Sequence, residues 1–199
     1  ASVVFQASYT ASLSTSGIDG IEMWYDATDL NGDGTTDTGY SVGNAVNSWT
    51  DKSGNGYNMT GAGNPTWAKF GNNGVVNFDG TGDALYSTNY WGGGEQFTML
   101  SVARYTHSDT NLRVISDRSR NWIFGFQNGN MQQWYFNGWL TDINNGKDQL
   151  FHIHSGSMNA SDQGNTYFDG TQVGTINGTG AHDSTYVPQQ LQFGGYQAS

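Results

Sequence analysis

The chain has 199 residues, with seven basic and seventeen acidic side chains and a net charge of −10, which argues against nucleic acid and anionic membranes as partners. Its 29 glycines, wealth of Asn, Asp, Ser and Thr, and shortage of good helix formers exclude a mainly helical protein and a doubly wound α/β fold with crossover helices. Seven Trp, eleven Tyr and ten Phe exclude disorder, and a domain of this size folds without the disulfides that an absence of cysteine denies it.

No run approaches the ~18 apolar residues of a membrane helix, and no basic segment leads into an apolar stretch as in a signal peptide. The chain opens on Ala1, so a processed product or a piece of a longer extracellular chain is expected. Fifteen of the seventeen acids are Asp, an excess that suits a divalent cation or a neutral polar partner.

Residues 1–18 are rich in Ser, Thr and Ala with one apolar run, Val3–Phe5, and read as a lead-in or linker. Residues 19–199 read as one β-sandwich domain, because short apolar runs are broken every 8–12 residues by Gly, Asn or Asp. Strands are expected at Gly20–Tyr25, Ala45–Trp49, Val75–Phe78, Ala84–Ser87, Phe97–Tyr105 and Arg113–Ser116. Further ones are expected at Trp122–Gln127, Met131–Phe136, Leu150–Ser155, Thr166–Phe168, Gln172–Ile176 and Gln190–Gly194. Asp169-Gly170 predicts a tight hairpin, since both residues tolerate positive φ. Asp79-Gly80 predicts a longer turn extended by Thr81-Gly82-Asp83. So many short strands in one domain must close their edges, and a two-sheet antiparallel sandwich or jelly roll does so economically.

The stretch Gly20-Ile21-Glu22-Met23-Trp24-Tyr25-Asp26-Ala27, followed by Val46-Asn47-Ser48-Trp49-Thr50-Asp51-Lys52-Ser53-Gly54-Asn55-Gly56, resembles the opening of bacterial LamG-like, concanavalin A-like lectin/glucanase domains. Val75–Asp83 is similar to their apolar-x-Phe-Asp-Gly turn, Phe97–Val102 to the next strand, Thr166–Gly174 to the late hairpin and Leu191–Tyr196 to the strand after it. The ordered set covers Gly20 to Tyr196, and it implies a sandwich of two antiparallel sheets, each burying one face. Such domains usually finish on an apolar strand that closes a sheet. Here that strand is missing, supplied by the N-terminal segment, or contributed by further sequence.

The sharpest local signal is Asp29-Leu30-Asn31-Gly32-Asp33-Gly34-Thr35-Thr36-Asp37. Oxygens at positions 1, 3 and 5, Gly at 6 and Asp at 9 reproduce most of a Ca²⁺-binding loop, because alternate residues of a tight turn point inward together. Asp29, Asn31, Asp33 and Asp37 would give side-chain oxygens and Thr35 its carbonyl, with Tyr40 standing where a bidentate acid is wanted. The plain alternative is a surface loop closed by Asx turns.

Catalysis is not expected. The β-glucan-cleaving enzymes of the resembled superfamily carry a Glu-x-Asp-x-x-Glu strand, whose acid and nucleophile flank one bond at ~5.5 Å. This chain has only Glu22 and Glu95, and Glu22 with Asp26 would stand ~13 Å apart on a strand. A lyase would want Arg, His and Tyr together, which Arg104, His107, Arg113, Arg118, Arg120, His152 and His154 leave open as a distant third. His152-x-His154 is half a metal site without a third ligand.

Sugar sites combine an aromatic platform with amide, carboxylate and guanidinium hydrogen bonds. Trp122, Phe124, Trp134 and Phe136 alternate as core residues, whereas Tyr90, Trp91 and Trp139 fall in loops. With Asn137, and with Arg118 and Arg120 for an anionic uronate or sulfate, these loop aromatics form the expected ligand site. The expectation is a non-catalytic, calcium-stabilised carbohydrate-binding or adhesive module, extracellular or on a cell or virion surface. The alternative is a structural or decorating domain of a virion, fibre or surface layer that contacts other subunits.

Overall fold

A computed structural model describes residues 3–5, 20–92, 96–106, 113–119, 122–127, 130–135, 149–161, 163–176 and 188–195, with backbone alone for 3–5, 125–127, 130–135 and 176. Among the described residues there is no helix and there are fourteen strands. In chain order these are β1 (Val3–Phe5), β2 (Ser48–Trp49), β3 (Met59–Ala62), β4 (Thr66–Phe70), β5 (Asn73–Asn77), β6 (Ala84–Ser87) and β7 (Phe97–Tyr105). They continue as β8 (Arg113–Asp117), β9 (Ile123–Gln127), β10 (Asn130–Tyr135), β11 (His152–Met158), β12 (Gly164–Phe168), β13 (Thr171–Ile176) and β14 (Leu191–Phe193).

The strands form two seven-stranded sheets, one in the order β13-β12-β11-β7-β1-β5-β4 and the other in the order β10-β9-β8-β14-β6-β3-β2. Every pairing is antiparallel. Both sheets feed one buried cluster. The first contributes Trp67, Val76, Phe97, Ala103, Tyr105 and Met158, and the second Trp49, Met59, Leu85, Ile115, Phe124, Leu191 and Phe193. Period-two alternation explains this sharing, since a strand with one apolar face must bury it against another layer.

The Asp169-Gly170 turn is a two-residue hairpin, with φ of 47° and 78° and Phe168 paired to Thr171. The run Val3–Phe5 sits inside the first sheet, paired with β5 and β7. Gly20–Tyr25, expected as a strand, joins no ladder. Side chains of the Asp51–Asn55 turn hold it instead, because short polar side chains compete with strand partners for backbone groups. Asp51 Oδ1 accepts the Trp24 N–H at 2.9 Å, and Asn55 Nδ2 donates to the Ile21 and Glu22 carbonyls at 3.1 Å.

Strands β3 and β4 have no counterpart in the sequence reading, for Met59-Thr60-Gly61-Ala62 carries one large apolar residue and β4 follows Pro65. A glycine is required inside β3. A Cβ on Gly61 would lie 2.7 Å from the Val46 carbonyl oxygen, so the chain beside β2 approaches closer than any side chain allows.

Candidate functional site

The outer face of the second sheet is built by strand register. Gly61, Leu85, Phe193, Ile115 and Phe124 are paired in one row across β3, β6, β14, β8 and β9, and the last four are core residues. One residue along each strand, Thr60, Tyr86, Gln192, Ser116 and Ile123 form the next row, and alternation turns them to the opposite face. Gln192 lies between the core residues Leu191 and Phe193 and is itself fully buried. Among the described residues, neither its Nε2 nor its Oε1 has a hydrogen-bond partner.

Around this amide the chain is tightly organised. The backbone of Gly195 passes over it, close enough that a Cβ there would stand 3.3 Å from Gln192 Nε2. Ser116 Oγ donates to the Gly195 carbonyl at 2.5 Å. The Arg118 guanidinium lies over the Tyr86 ring at 3.8 Å, and the Arg118 N–H donates to the Gln190 carbonyl at 2.8 Å. Asp117, fully buried, accepts from the Ser119 N–H and Oγ and from the N–H groups of Gln189 and Gln190. A single carboxylate thereby pins the end of β8 to the segment entering β14, next to the residue whose guanidinium covers Tyr86.

The loop expected to hold calcium is closed on itself. Asp29 accepts the Asp33 N–H at 3.1 Å through Oδ1 and the Gly34 N–H at 3.0 Å through Oδ2, and Asp37 Oδ2 accepts the Leu30 N–H at 2.5 Å. Asn31 Nδ2 donates to Asp33 at 3.1 Å, and Thr35 gives Asp33 both its N–H and its hydroxyl, at 2.8 and 2.6 Å. The Thr35 bonds hold the exposed Asp33 carboxyl below the usual carboxylate range. The cation at this loop is an ammonium. Lys52 Nζ stands 2.6 Å from Asp29 Oδ2 and 3.5 Å from Asp26 Oδ2, over the Trp24 ring at 4.7 Å. Among the described residues no three His, Asp or Glu side chains are gathered as a metal requires. A Ca²⁺ at Asp29 would have to share or displace the Lys52 ammonium.

Of the residues expected to bind ligand, Tyr90 is exposed and Arg118 lies on Tyr86. Trp91, expected at the surface, is instead buried. Its backbone N–H donates to the Gln189 carbonyl at 2.6 Å, and its ring meets Phe97 edge-on at 5.7 Å, so a loop position alone did not keep it in solvent. Arg120, Asn137 and Trp139 lie outside the described residues. Trp122 and Phe124 are core residues, as alternation predicted.

The two histidines of β11 divide. His152 Nδ1 is 2.7 Å from Asp169 Oδ2 and its ring packs on Phe168 at 4.4 Å, while His154 is buried between Phe124 and Phe168. Burial, then the neighbouring His152, pushes the His154 imidazole down to about 4, so it is neutral near pH 7. For Asp169, desolvation acts upward, but the hydrogen bonds from His152 and the Ile153 N–H prevail and hold the carboxyl below its ordinary value.

No family model matches the chain, and no curated protein or solved structure matches it significantly. The residues at the centre of the face, Gln192, Tyr86, Ser116 and Thr60, went unnoticed in the sequence. The available signal was Leu191-Gln192-Phe193, one amide between two core residues, which marks the face it occupies and says nothing of its burial.

Proposed function

We propose that the protein is a non-catalytic carbohydrate-binding or adhesive module, a concanavalin A-like jelly-roll sandwich that works outside the cell or on a cell or virion surface. The observation that carries this reading is the outer face of the second sheet. There a buried amide without partners stands in register with an aromatic ring and two hydroxyls, the group types that meet sugar hydroxyls and CH faces. The absence of catalysis is supported by how the carboxylates are used. Asp29, Asp37, Asp51, Asp83 and Asp117 each accept backbone N–H donors that close turns, and Glu22 is exposed. Calcium enters this reading as a weak competitor of Lys52 for Asp29.

A glycan-array screen in millimolar calcium and in EDTA tests the reading. Saturable binding to a defined glycan group is expected, and release of reducing sugar from a bound polysaccharide would overturn the non-catalytic assignment. A second reading, a structural domain contacting other subunits, is favoured by Leu100 and Ile153, which stand 67% and 45% exposed on the outer face of the first sheet. Sedimentation that stays monomeric at high concentration, together with glycan binding, rejects it for copies of this chain.

A further inference from the structure

We infer that Gln192 sets the ligand class of this face, selecting a neutral saccharide that presents two adjacent hydroxyls; the inference rests on the sugar-binding reading above. A carboxamide offers one acceptor oxygen beside a donor NH₂. Its complement is a vicinal diol, in which one hydroxyl donates to Oε1 and the other accepts from Nε2. A carboxylate or sulfate group in the place of that diol brings acceptors only, and would set oxygen against Oε1.

The amide is fully buried and neither of its polar atoms is satisfied, a state that native proteins rarely keep without a use, since each orphaned group bears its desolvation cost. Apolar residues flank it on its own strand and would fill the position at lower cost. Tyr86 on one strand and Ser116 on the other border it in register; the Ser116 hydroxyl is buried and spent on the Gly195 carbonyl, so the half-buried Tyr86, with the Arg118 guanidinium over its ring, is the neighbour a ligand would meet. Gly195, with no side chain to crowd Nε2, lies beside the amide, and its carbonyl is held by Ser116 Oγ.

The test is affinity electrophoresis through gels holding galactomannan or mixed-linkage β-glucan, both neutral, and alginate or carrageenan, both anionic. It is run on the wild type, Gln192→Leu and Gln192→Met, with a melting curve for each. The wild type is expected to be retarded in a neutral gel and not in an anionic one. Either variant should weaken that retardation by about ten-fold or more while its Tm stays equal or rises, because an apolar side chain of similar length removes an unsatisfied buried amide. Undiminished retardation of both variants overturns the inference. So does a fall in Tm in both, which would make Gln192 a structural amide satisfied by bound water. Retardation in anionic gels alone overturns the neutral class and leaves sugar binding standing, whereas a wild type retarded in no gel defeats the sugar-binding reading itself.

Discussion

Replacing Lys52 with Met isolates what the ammonium does for the acidic loop. The Met stem keeps the packing over Trp24 but removes the charge that stands 2.6 Å from Asp29 Oδ2 and 3.5 Å from Asp26 Oδ2. The Asp29 side chain is 3% exposed and that of Lys52 13%, so water cannot take over the ammonium's role. Removing one partner of a buried pair costs about 3–5 kcal/mol. The partial exposure of Asp26, at 17%, argues for the lower end, about 3 kcal/mol. At 2–4 °C per kcal/mol for a domain of this size, the melting midpoint should fall by roughly 6–12 °C.

Calcium then separates two uses of the same loop. In the variant, millimolar Ca²⁺ should recover part of the loss against EDTA, up to about 2.7 kcal/mol if the ion reaches a hundred times its Kd. The wild type, with Lys52 seated on Asp29, should move little. Differential scanning calorimetry of both proteins in Ca²⁺ and in EDTA reads all four midpoints. A Lys52→Met protein that melts like the wild type refutes the counter-ion argument. A wild type that rises by several degrees with Ca²⁺ refutes it too, since the loop would then hold the metal with Lys52 in place.

The acid limb of stability should carry the mark of His154. Its folded value of about 4 lies below the unfolded 6.5, so its contribution is whole above pH 6.5 and is lost as pH falls towards 4, up to about 3 kcal/mol. Urea midpoints between pH 4 and 7 should slope down for the wild type and flatten in His154→Phe; parallel curves sink the assignment. Asp169, also held low, adds a loss confined to lower pH, because a depressed carboxyl stabilises above its unfolded value and fails as pH drops through its folded one. Asp169→Asn should remove that lower limb, which the same titration shows. Gly194→Ala should be among the costliest single changes, by about 3 kcal/mol. Its φ is +86° and a Cβ would stand 2.2 Å from the Phe78 ring. An unchanged midpoint in chemical denaturation would count against this packing.

Local chemistry was legible without coordinates. The alternation of β7 and the positions of β6, β12 and β13 followed from period-two patterning, and the Asp169-Gly170 hairpin followed from the two residue types that tolerate positive φ. These depend on neighbours a few residues away, so composition and spacing suffice to state them. Gly20–Tyr25 marks the limit of that logic. Its apolar run looks like a strand, yet side chains about thirty residues on take the backbone groups a ladder would have used.

The candidate site belongs to the other class of fact. That Gln192 lies beside Tyr86 and Ser116 depends on pairings 106 and 76 residues apart. The spacing of Asp29 to Asp37 is visible in the sequence, whereas the Lys52 ammonium against Asp29 comes from 23 residues further on. Trp91 likewise sits in a loop by sequence and in the core by packing. An all-β chain was therefore determined by the order of its residues alone. Which polar groups ended up without water or partners was decided only when distant strands met, because burial and pairing are properties of non-local neighbours.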